Sequence, residues 1–238
     1  MTGAAQNKLI TKNKNNGVKM LTYKDIKENK AISEYIRRAD DSLVALGYTE
    51  HSFAHVGRAA ASVEYIHSTL GYSEHDIELG KIAAHMHDIG NLVNRVDHSQ
   101  SGAIMSFRIL DKLGMPPEDI ATVVTAIGNH DEGTGVPVNP IAAALILADK
   151  TDVRRSRVRN RDMATFDIHD RVNYSVENAS LHIDKEKKII TLSITIDTRY
   201  SSVMDYFEIF LARMVMCRKA AEMLSLNFSL VINGQQVL

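Results

Sequence analysis

One cysteine, Cys217, is all the thiol chemistry available to this chain of 238 residues. That scarcity excludes a disulfide framework within the chain and a metal site built from thiolates alone. Cys217 lies in an apolar helical pattern, which reads as a small buried hydrophobe. A surplus of charge of either sign is lacking as well: 28 Lys and Arg stand against 29 Asp and Glu, for a formal charge of −1. No whole-molecule field draws such a chain to nucleic acid or to a membrane, so either role would need a local patch. No stretch is apolar over the ~18 residues that a membrane span requires. The first 19 residues are rich in Asn and Lys and lack the apolar centre of a signal peptide. Residues 1–20 are therefore expected to form a mobile tail, and the protein to be cytoplasmic. Internal repeats and low-complexity linkers are absent too. What is present, 45% apolar and 24% charged residues, is ordinary globular composition.

Helical periodicity dominates residues 32–155. Ile32, Tyr35, Ile36, Ala39 and Leu43 recur at three- and four-residue intervals, as do Val56, Ala59, Ala60, Val63 and Ile66. Gly71 ends the second run. Ser73 offers an N-cap to a helix carrying Ile77, Ile82, Ala83 and Met86, with Glu74 and Asp76 in its first turn. A further helix spans about 98–113, closed by Gly114, and Pro117 opens another reaching about Asn129. Asn139-Pro140 supplies an N-cap and first position for an apolar helix that ends near Asp149. These elements predict about six helices joined by short loops. After Arg155 the texture changes. Residues 181–183 and 189–196 read as two strands around a turn at 184–187, with Leu192, Ile194 and Ile196 alternating against Ser193, Thr195 and Asp197. A long helix at 202–224, a strand at 228–232 and a turn at Asn233-Gly234 follow. The expected architecture is mainly α: a helical domain at 21–168 and a small C-terminal α+β module at 169–238.

Ten histidines are present, and their positions matter more than their number. His55 shares a face with Ala59 and Val63 and so points inward. His87 and Asp88 end an apolar helix where Ile89-Gly90 must turn. Asp149 follows the apolar run 141–148, where a carboxylate is costly unless a positive group neutralises it. Taken singly, each has a plainer explanation: a hydrogen-bonded core histidine, a chance dipeptide, or an aspartate that caps a helix or pairs with Arg154 or Arg155. Together they suit a divalent cation bound by two imidazoles and two carboxylates.

The order His55, His87-Asp88, Asp149, all on helices, resembles the HD-domain superfamily of metal-dependent phosphohydrolases over roughly residues 50–155. Within it the likeness is nearest to the binuclear HD-GYP type. His87-Asp88-Ile89-Gly90 reads like that group's HDIGK, and His98-Ser99-Gln100-Ser101-Gly102 matches its His-x-x-x-Gly. His130-Asp131-Glu132, followed by Gly133-Thr134-Gly135-Val136-Pro137, is similar to a shortened HHE…GxGYP. The resemblance implies an HD-type helical bundle and two further ligands, His98 and His130. It departs at three places: Asn91 stands for a phosphate-contacting Lys, Asp131 for a second His and Val136 for Tyr. Those changes speak against cyclic di-GMP as substrate while leaving the metal ligands in place. The relaxed-nucleotide synthetase-hydrolase type is disfavoured because its Glu-Asp pair after His-Asp is missing.

The implied chemistry is hydrolysis of a phosphomonoester or phosphodiester, nucleotide-like and small. His55, His87, Asp88, His98, His130 and Asp149 would hold two divalent cations, with Asp88 as the bridge. Such a pair lowers the pKa of a bound water and supplies hydroxide at neutral pH. Histidine-rich ligation favours Mn, Fe, Co, Ni or Zn over Mg. Lys150 is placed to supply a cation to the phosphate, the alternative being a solvated lysine at a helix end. Asp131 reads as an extra ligand, a proton acceptor or simply a loop carboxylate. His51, one turn before His55, would orient a ligand or touch substrate. His85 is assigned a structural role, and His67, His75, His169 and His182 the surface. Arg154, Arg155, Arg157, Arg159 and Arg161 fall within eight positions. Closeness to Asp149 favours a phosphate-binding rim, with Arg154 and Arg155 on the substrate, over a solvated connector. Lack of interleaved aromatic residues ranks nucleic acid last. Strand edges in the C-terminal module leave room for a homodimer. Two rivals remain: a di-iron HD-type oxygenase with the same ligand types, and a nucleotide-sensing HD scaffold without turnover.

Overall fold

Helix boundaries in this protein follow its capping residues, as seen in a computed structural model that describes residues 21–238. The expected tail at 1–20 lies outside the described residues. Short α1 (Tyr23–Lys27) precedes α2 (Lys30–Ala45), α3 (Phe53–Leu70) and α4 (Glu74–Met86). Gly71 closes α3 at φ 83°, and Ser73 starts α4 through a capping box in which its hydroxyl accepts from the Asp76 N–H at 3.1 Å. A tight 3-10 turn, Ile89–Leu92, leads to α5 (His98–Lys112), α6 (Pro117–Gly128) and α7 (Pro140–Lys150). Asn139 caps α7 by accepting from the Ala142 N–H at 2.7 Å.

α7 is the axis of the bundle. Every residue from Ile141 to Ala148 is buried, because α3, α4, α6 and a later helix all pack around it. The polar end of this helix, Asp149-Lys150, is thus delivered into the interior. Two glycines bring α5 against the turn after α4. A Cβ on Gly90 would sit 1.9 Å from the His98 carbonyl oxygen and 2.5 Å from the Gly102 nitrogen, and one on Gly102 would sit 3.1 Å from the His87 carbonyl oxygen. Only a bare backbone permits that approach, which sets His98 beside Asp88.

Beyond α7 come α8 (Ile168–Ser175), β1 (Val176–Asp184), β2 (Ile189–Ile196), α9 (Val203–Met223), β3 (Asn227–Ile232) and β4 (Gln235–Gln236). The sheet runs β1-β2-β3-β4, antiparallel except for the parallel β2–β3 pair that α9 connects. Ile190, Leu192, Ile194 and Ile196 of β2 all face inward, in the alternation expected of them. α9 packs on both α7 and β3, so one apolar core runs from Ile26 to Ile232. The molecule is therefore mainly α, with a small C-terminal α+β part, as expected. β1 starts at Val176, ahead of the expected 181, because its first residues pair with the end of β2 across a bulge between Val176 and Asn178. The outer side of β1 meets α3, where the Tyr65 hydroxyl accepts from the Ile183 N–H at 3.0 Å. Among the described residues no helix is long and apolar enough to cross a membrane.

Candidate metal centre

Five stretches of chain converge on one buried point. His55 lies in the first turn of α3, His87 and Asp88 just past α4, His98 at the start of α5, His130 just past α6, and Asp149 near the end of α7. His55 and His87 are fully buried, and His98, His130 and Asp88 nearly so. Each imidazole has its Nδ1 committed. His55 Nδ1 is 2.8 Å from Asp152 Oδ2, His87 Nδ1 2.8 Å from the Ala84 carbonyl, His98 Nδ1 3.1 Å from that of Arg95, and His130 Nδ1 2.6 Å from that of Ile127. These oxygens only accept, so every Nδ1 carries a proton and every Nε2 is turned towards the shared centre.

The Nε2 atoms meet in two pairs. His55 and His87 are 3.3 Å apart, and His98 and His130 are 3.1 Å apart. Asp88 lies between the pairs. Its Oδ2 is 3.3 Å from His87 Nε2 and 3.7 Å from His55 Nε2, while Oδ1 is 3.5 Å from His98 Nε2 and 3.9 Å from His130 Nε2. Asp149 Oδ1 closes the first group, 3.3 Å from His55 Nε2 and 3.7 Å from His87 Nε2. Ligands about 2.1 Å from one cation stand about 3.0–3.5 Å from each other, and these spacings fall in or just outside that range. Asp88 Oδ2 is buried and lacks a well-aligned hydrogen-bond donor, a costly state for a carboxylate oxygen that no cation meets. Two overlapping groups, His55/His87/Asp149 and His87/Asp88/His130, keep their ligand atoms within 4.8 Å of one another. The donor set and its spacing fit divalent metal, and Asp88 has the position of a bridge.

Without a cation the charges settle among the residues themselves. Burial opposes a charge on His87, yet Asp88 and Asp149 beside it hold its pKa up at about 9. Burial likewise opposes ionisation of Asp88, but His87 keeps that carboxyl well below the usual range. His130 is driven the other way, well below an ordinary histidine, by burial and by the nearby charge on His87. Asn91 donates its amide to Asp88 Oδ1 at 3.0 Å, so this departure from the resembled motif supports the central carboxylate.

No family model matches the chain. An uncharacterized protein of Methanocaldococcus jannaschii, MJ1020, is 23% identical over 197 residues, covering 73% of this chain and 75% of its own. A crystal structure described as a predicted HD superfamily hydrolase, from an uncultured Thermotogales bacterium, is similar over 52% of this chain and 67% of that chain, with 24% identity and a TM-score of 0.41. At this level of likeness, only the ligand geometry of this chain carries weight for its function.

Around the ligands lies a charged support. Asp152, which sequence reasoning missed, accepts the hydrogen bond from His55 Nδ1 and is itself held by Arg154 Nε at 3.0 Å. Glu50 accepts a second bond from Arg154, and the Arg157 side chain donates to the carbonyls of Glu50 (3.0 Å) and Asp152 (2.9 Å). Lys150, buried at 4% exposure, bridges Asp149 Oδ2 at 2.8 Å and Glu132 Oε2 at 2.6 Å. Arg213 of α9 reaches Glu132 Oε1 at 2.9 Å. Burial works against the Glu132 carboxylate, but Lys150 and Arg213 hold its pKa down at about 2. Asp131 is near the second pair, with Oδ1 3.9 Å from His98 Nε2.

Asp88, His98, His130 and Asp149 open on a small chamber lined also by His51, Arg95, Lys150, Arg157 and Arg213. His51, Arg95 and Arg213 are shared with a vestibule of about 500 Å³ whose wall includes Tyr48, Thr49, Asp167, His169 and Asp170. His51 is half-buried with Nδ1 2.7 Å from the Thr49 carbonyl, and burial and Arg157 push its pKa well down. Two expected members of the rim lie elsewhere. Arg154 is consumed by Glu50, Asp152 and Ser156. Arg155 stacks on Tyr174, 4.6 Å from its ring centre. Both line a separate cleft of about 320 Å³ beside β1. The chain leaves α7 irregularly, so neighbouring arginines turn to different sides, and Arg157 is the one that faces the chamber. His67 also corrects the expectation of a surface residue: it is fully buried, with Nε2 3.3 Å from the Pro140 carbonyl. His85 is buried with neither ring nitrogen hydrogen-bonded, and burial pushes its pKa down to about 4, in keeping with a structural role.

Proposed function

We propose that this chain is an HD-type metal-dependent phosphohydrolase holding two divalent transition-metal ions through His55, His87, Asp88, His98, His130 and Asp149. The observation that carries the reading is Asp88, whose two oxygens each face a different pair of imidazole Nε2 atoms. When bound, such cations polarise a phosphoryl oxygen and lower the pKa of a coordinated water. The chain's own residues supply the rest. Asp152 and three backbone carbonyls keep the imidazoles in the tautomer that leaves Nε2 free. Lys150, Arg157 and Arg213 line the chamber and give positive charge to phosphoryl oxygens from sites already desolvated. Asp131 stands beside His98 as an acceptor for a proton. His51, neutral and at the chamber neck, donates or accepts towards the substrate.

Metal content per chain, with phosphate release under anaerobic conditions in Mn(II), tests the reading. Two ions in the parent are expected, about one in His98→Ala or His130→Ala, and loss of both in Asp88→Ala. Unchanged metal content in His87→Ala and Asp88→Ala would sink it. Oxygen consumption by the ferrous protein without phosphate release would replace the hydrolase with an oxygenase. Nucleotide binding without turnover would replace it with a sensor.

A further inference from the structure

We propose that the cleft beside β1 is a second ligand site, which takes a small phosphate monoester with a hydroxylated body and signals its presence to the metal centre through Asp152. This cleft gathers the arginines that the chamber does not use. Arg154 and Arg155 line it together with Arg58 of α3, three residues after His55. Arg154 is engaged by Glu50 and Asp152, but the other two pair with no carboxylate. Arg58 is exposed and makes no hydrogen bond or ion pair among the described residues. Arg155 donates through Nε to the Tyr174 carbonyl and stacks on Tyr174 and Tyr200, while its Nη2 is buried without a hydrogen-bond partner. Asp197 is near enough to sense the Arg155 charge, but Arg199 holds that carboxylate. A guanidinium donor in this state is costly until an acceptor reaches it. Of the two carboxylates in the wall, Asp152 is already bonded by Arg154 and His55, and Glu177 is exposed. Two guanidinium forks against one solvated carboxylate favour an anion, and a phosphate monoester offers both charge and several acceptor oxygens.

The rest of the cleft suits hydroxyls. Its volume of about 320 Å³ lies within the range of small-molecule sites. A recess of about 90 Å³ continues it past Arg58, Thr151 and Asp152. β1 is an end strand with β2 on one side only, so alternate backbone N–H and C=O groups along it lack a strand partner. Tyr65 meets one of them, at Ile183, and residues 176–181 line the cleft and its recess. Among the described residues no aromatic ring lines either space. Nothing there stacks a base, which favours a sugar or polyol phosphate over a nucleotide. Asp152 stands in the wall and accepts from His55 Nδ1 at 2.8 Å. A dianion beside it makes Asp152, and through it His55, a stronger partner for a cation. That coupling rests on the metal-dependent reading above; the site itself does not.

Calorimetry with 3,4-dihydroxybutylphosphonate, a non-hydrolysable polyol phosphate mimic, tests both parts. It is expected to bind the metal-free protein at one site, and at least about tenfold more weakly in Arg58→Ala and in Arg155→Ala. Butylphosphonate, which lacks the hydroxyls, and AMP are both expected to bind more weakly than the dihydroxy compound. With the probe saturating, Mn(II) is expected to bind about fivefold more tightly than without it. That gain should be absent in Arg58→Ala, whose metal content should match the parent. Undiminished binding in either variant would overturn the site, and Arg58 is exposed, so its variant decides the matter even if Arg155→Ala fails to fold. Equal binding of butylphosphonate or of AMP would overturn the ligand class. Probe binding that leaves Mn(II) affinity unchanged would overturn the coupling. Failure of Mn(II) to bind at all would bring down the metal-dependent reading and leave the site standing.

Discussion

A carboxylate oxygen that is buried yet faces two imidazole nitrogens ties the protonation of those rings to whatever cation joins them. His87, with a pKa of about 9 in the metal-free protein, is protonated at pH 7, and its Nε2 must lose that proton to ligate. Metal uptake at pH 7 is therefore expected to release about one proton from this residue, and the release should vanish above pH 9. Calorimetric titration in buffers of different ionisation enthalpy measures it, and no dependence on buffer would contradict the assignment. Asp152 acts at one remove, through the His55 Nδ1 proton. Asp152→Asn is expected to weaken metal binding by about 10–100-fold while activity returns at high metal concentration. Activity that stays lost at saturating metal would mean Asp152 does more than orient His55. At this scale the sequence disclosed the residues whose type is anomalous for their surroundings. An inward His and an Asp ending an apolar helix stand out. Asp152 and Arg213 do not, because a carboxylate two residues past a helix end and an arginine on a long amphipathic helix are ordinary until their neighbours are known.

Helices reveal themselves through ends and periodicity, and here both kinds of signal were strong. Ser73, Gly71, Gly114, Pro117 and Asn139-Pro140 all mark boundaries seen in the structure. α1 and α8 escaped notice because each has few apolar positions and is stabilised by what it packs on; Val172 and Ile26 are buried only through tertiary contact. The arginine run misled for a related reason: an irregular segment has no period from which facing can be read. The most consequential element-level feature is the contact of α5 with the turn after α4. Gly90→Ala would drive a methyl into the His98 carbonyl and the Gly102 nitrogen, neither of which can rotate away. α5 must move, taking His98 from Asp88. The expected result is destabilisation of about 3 kcal/mol in denaturant and a fall to about one metal per chain. Parent-like stability with two ions bound would show that α5 shifts without cost.

At the scale of the whole molecule, the C-terminal part belongs to the same core as the helices before it, and α9 contributes Arg213 to the chamber. Sequence texture changed clearly after Arg155, but a change of texture says nothing about which surfaces later meet. Cys217 lies on α9, fully buried, and burial pushes its thiol up to about 12. A thiol reagent is expected to leave the folded protein untouched and to label it at the rate of global unfolding. Fast labelling under native conditions would mean that α9 separates from α7 on its own. With a single cysteine the chain has no disulfide to constrain its loops. The proposed metal ligands come from stretches as far apart in sequence as His55 and Asp149, so a bound ion would close those loops as a covalent staple does elsewhere. It would then be a fold-holding clamp as much as a reagent, adding about 2.7 kcal/mol of stability when free metal stands at a hundred times its dissociation constant. Scarcity of free metal would threaten the protein's lifetime along with its turnover.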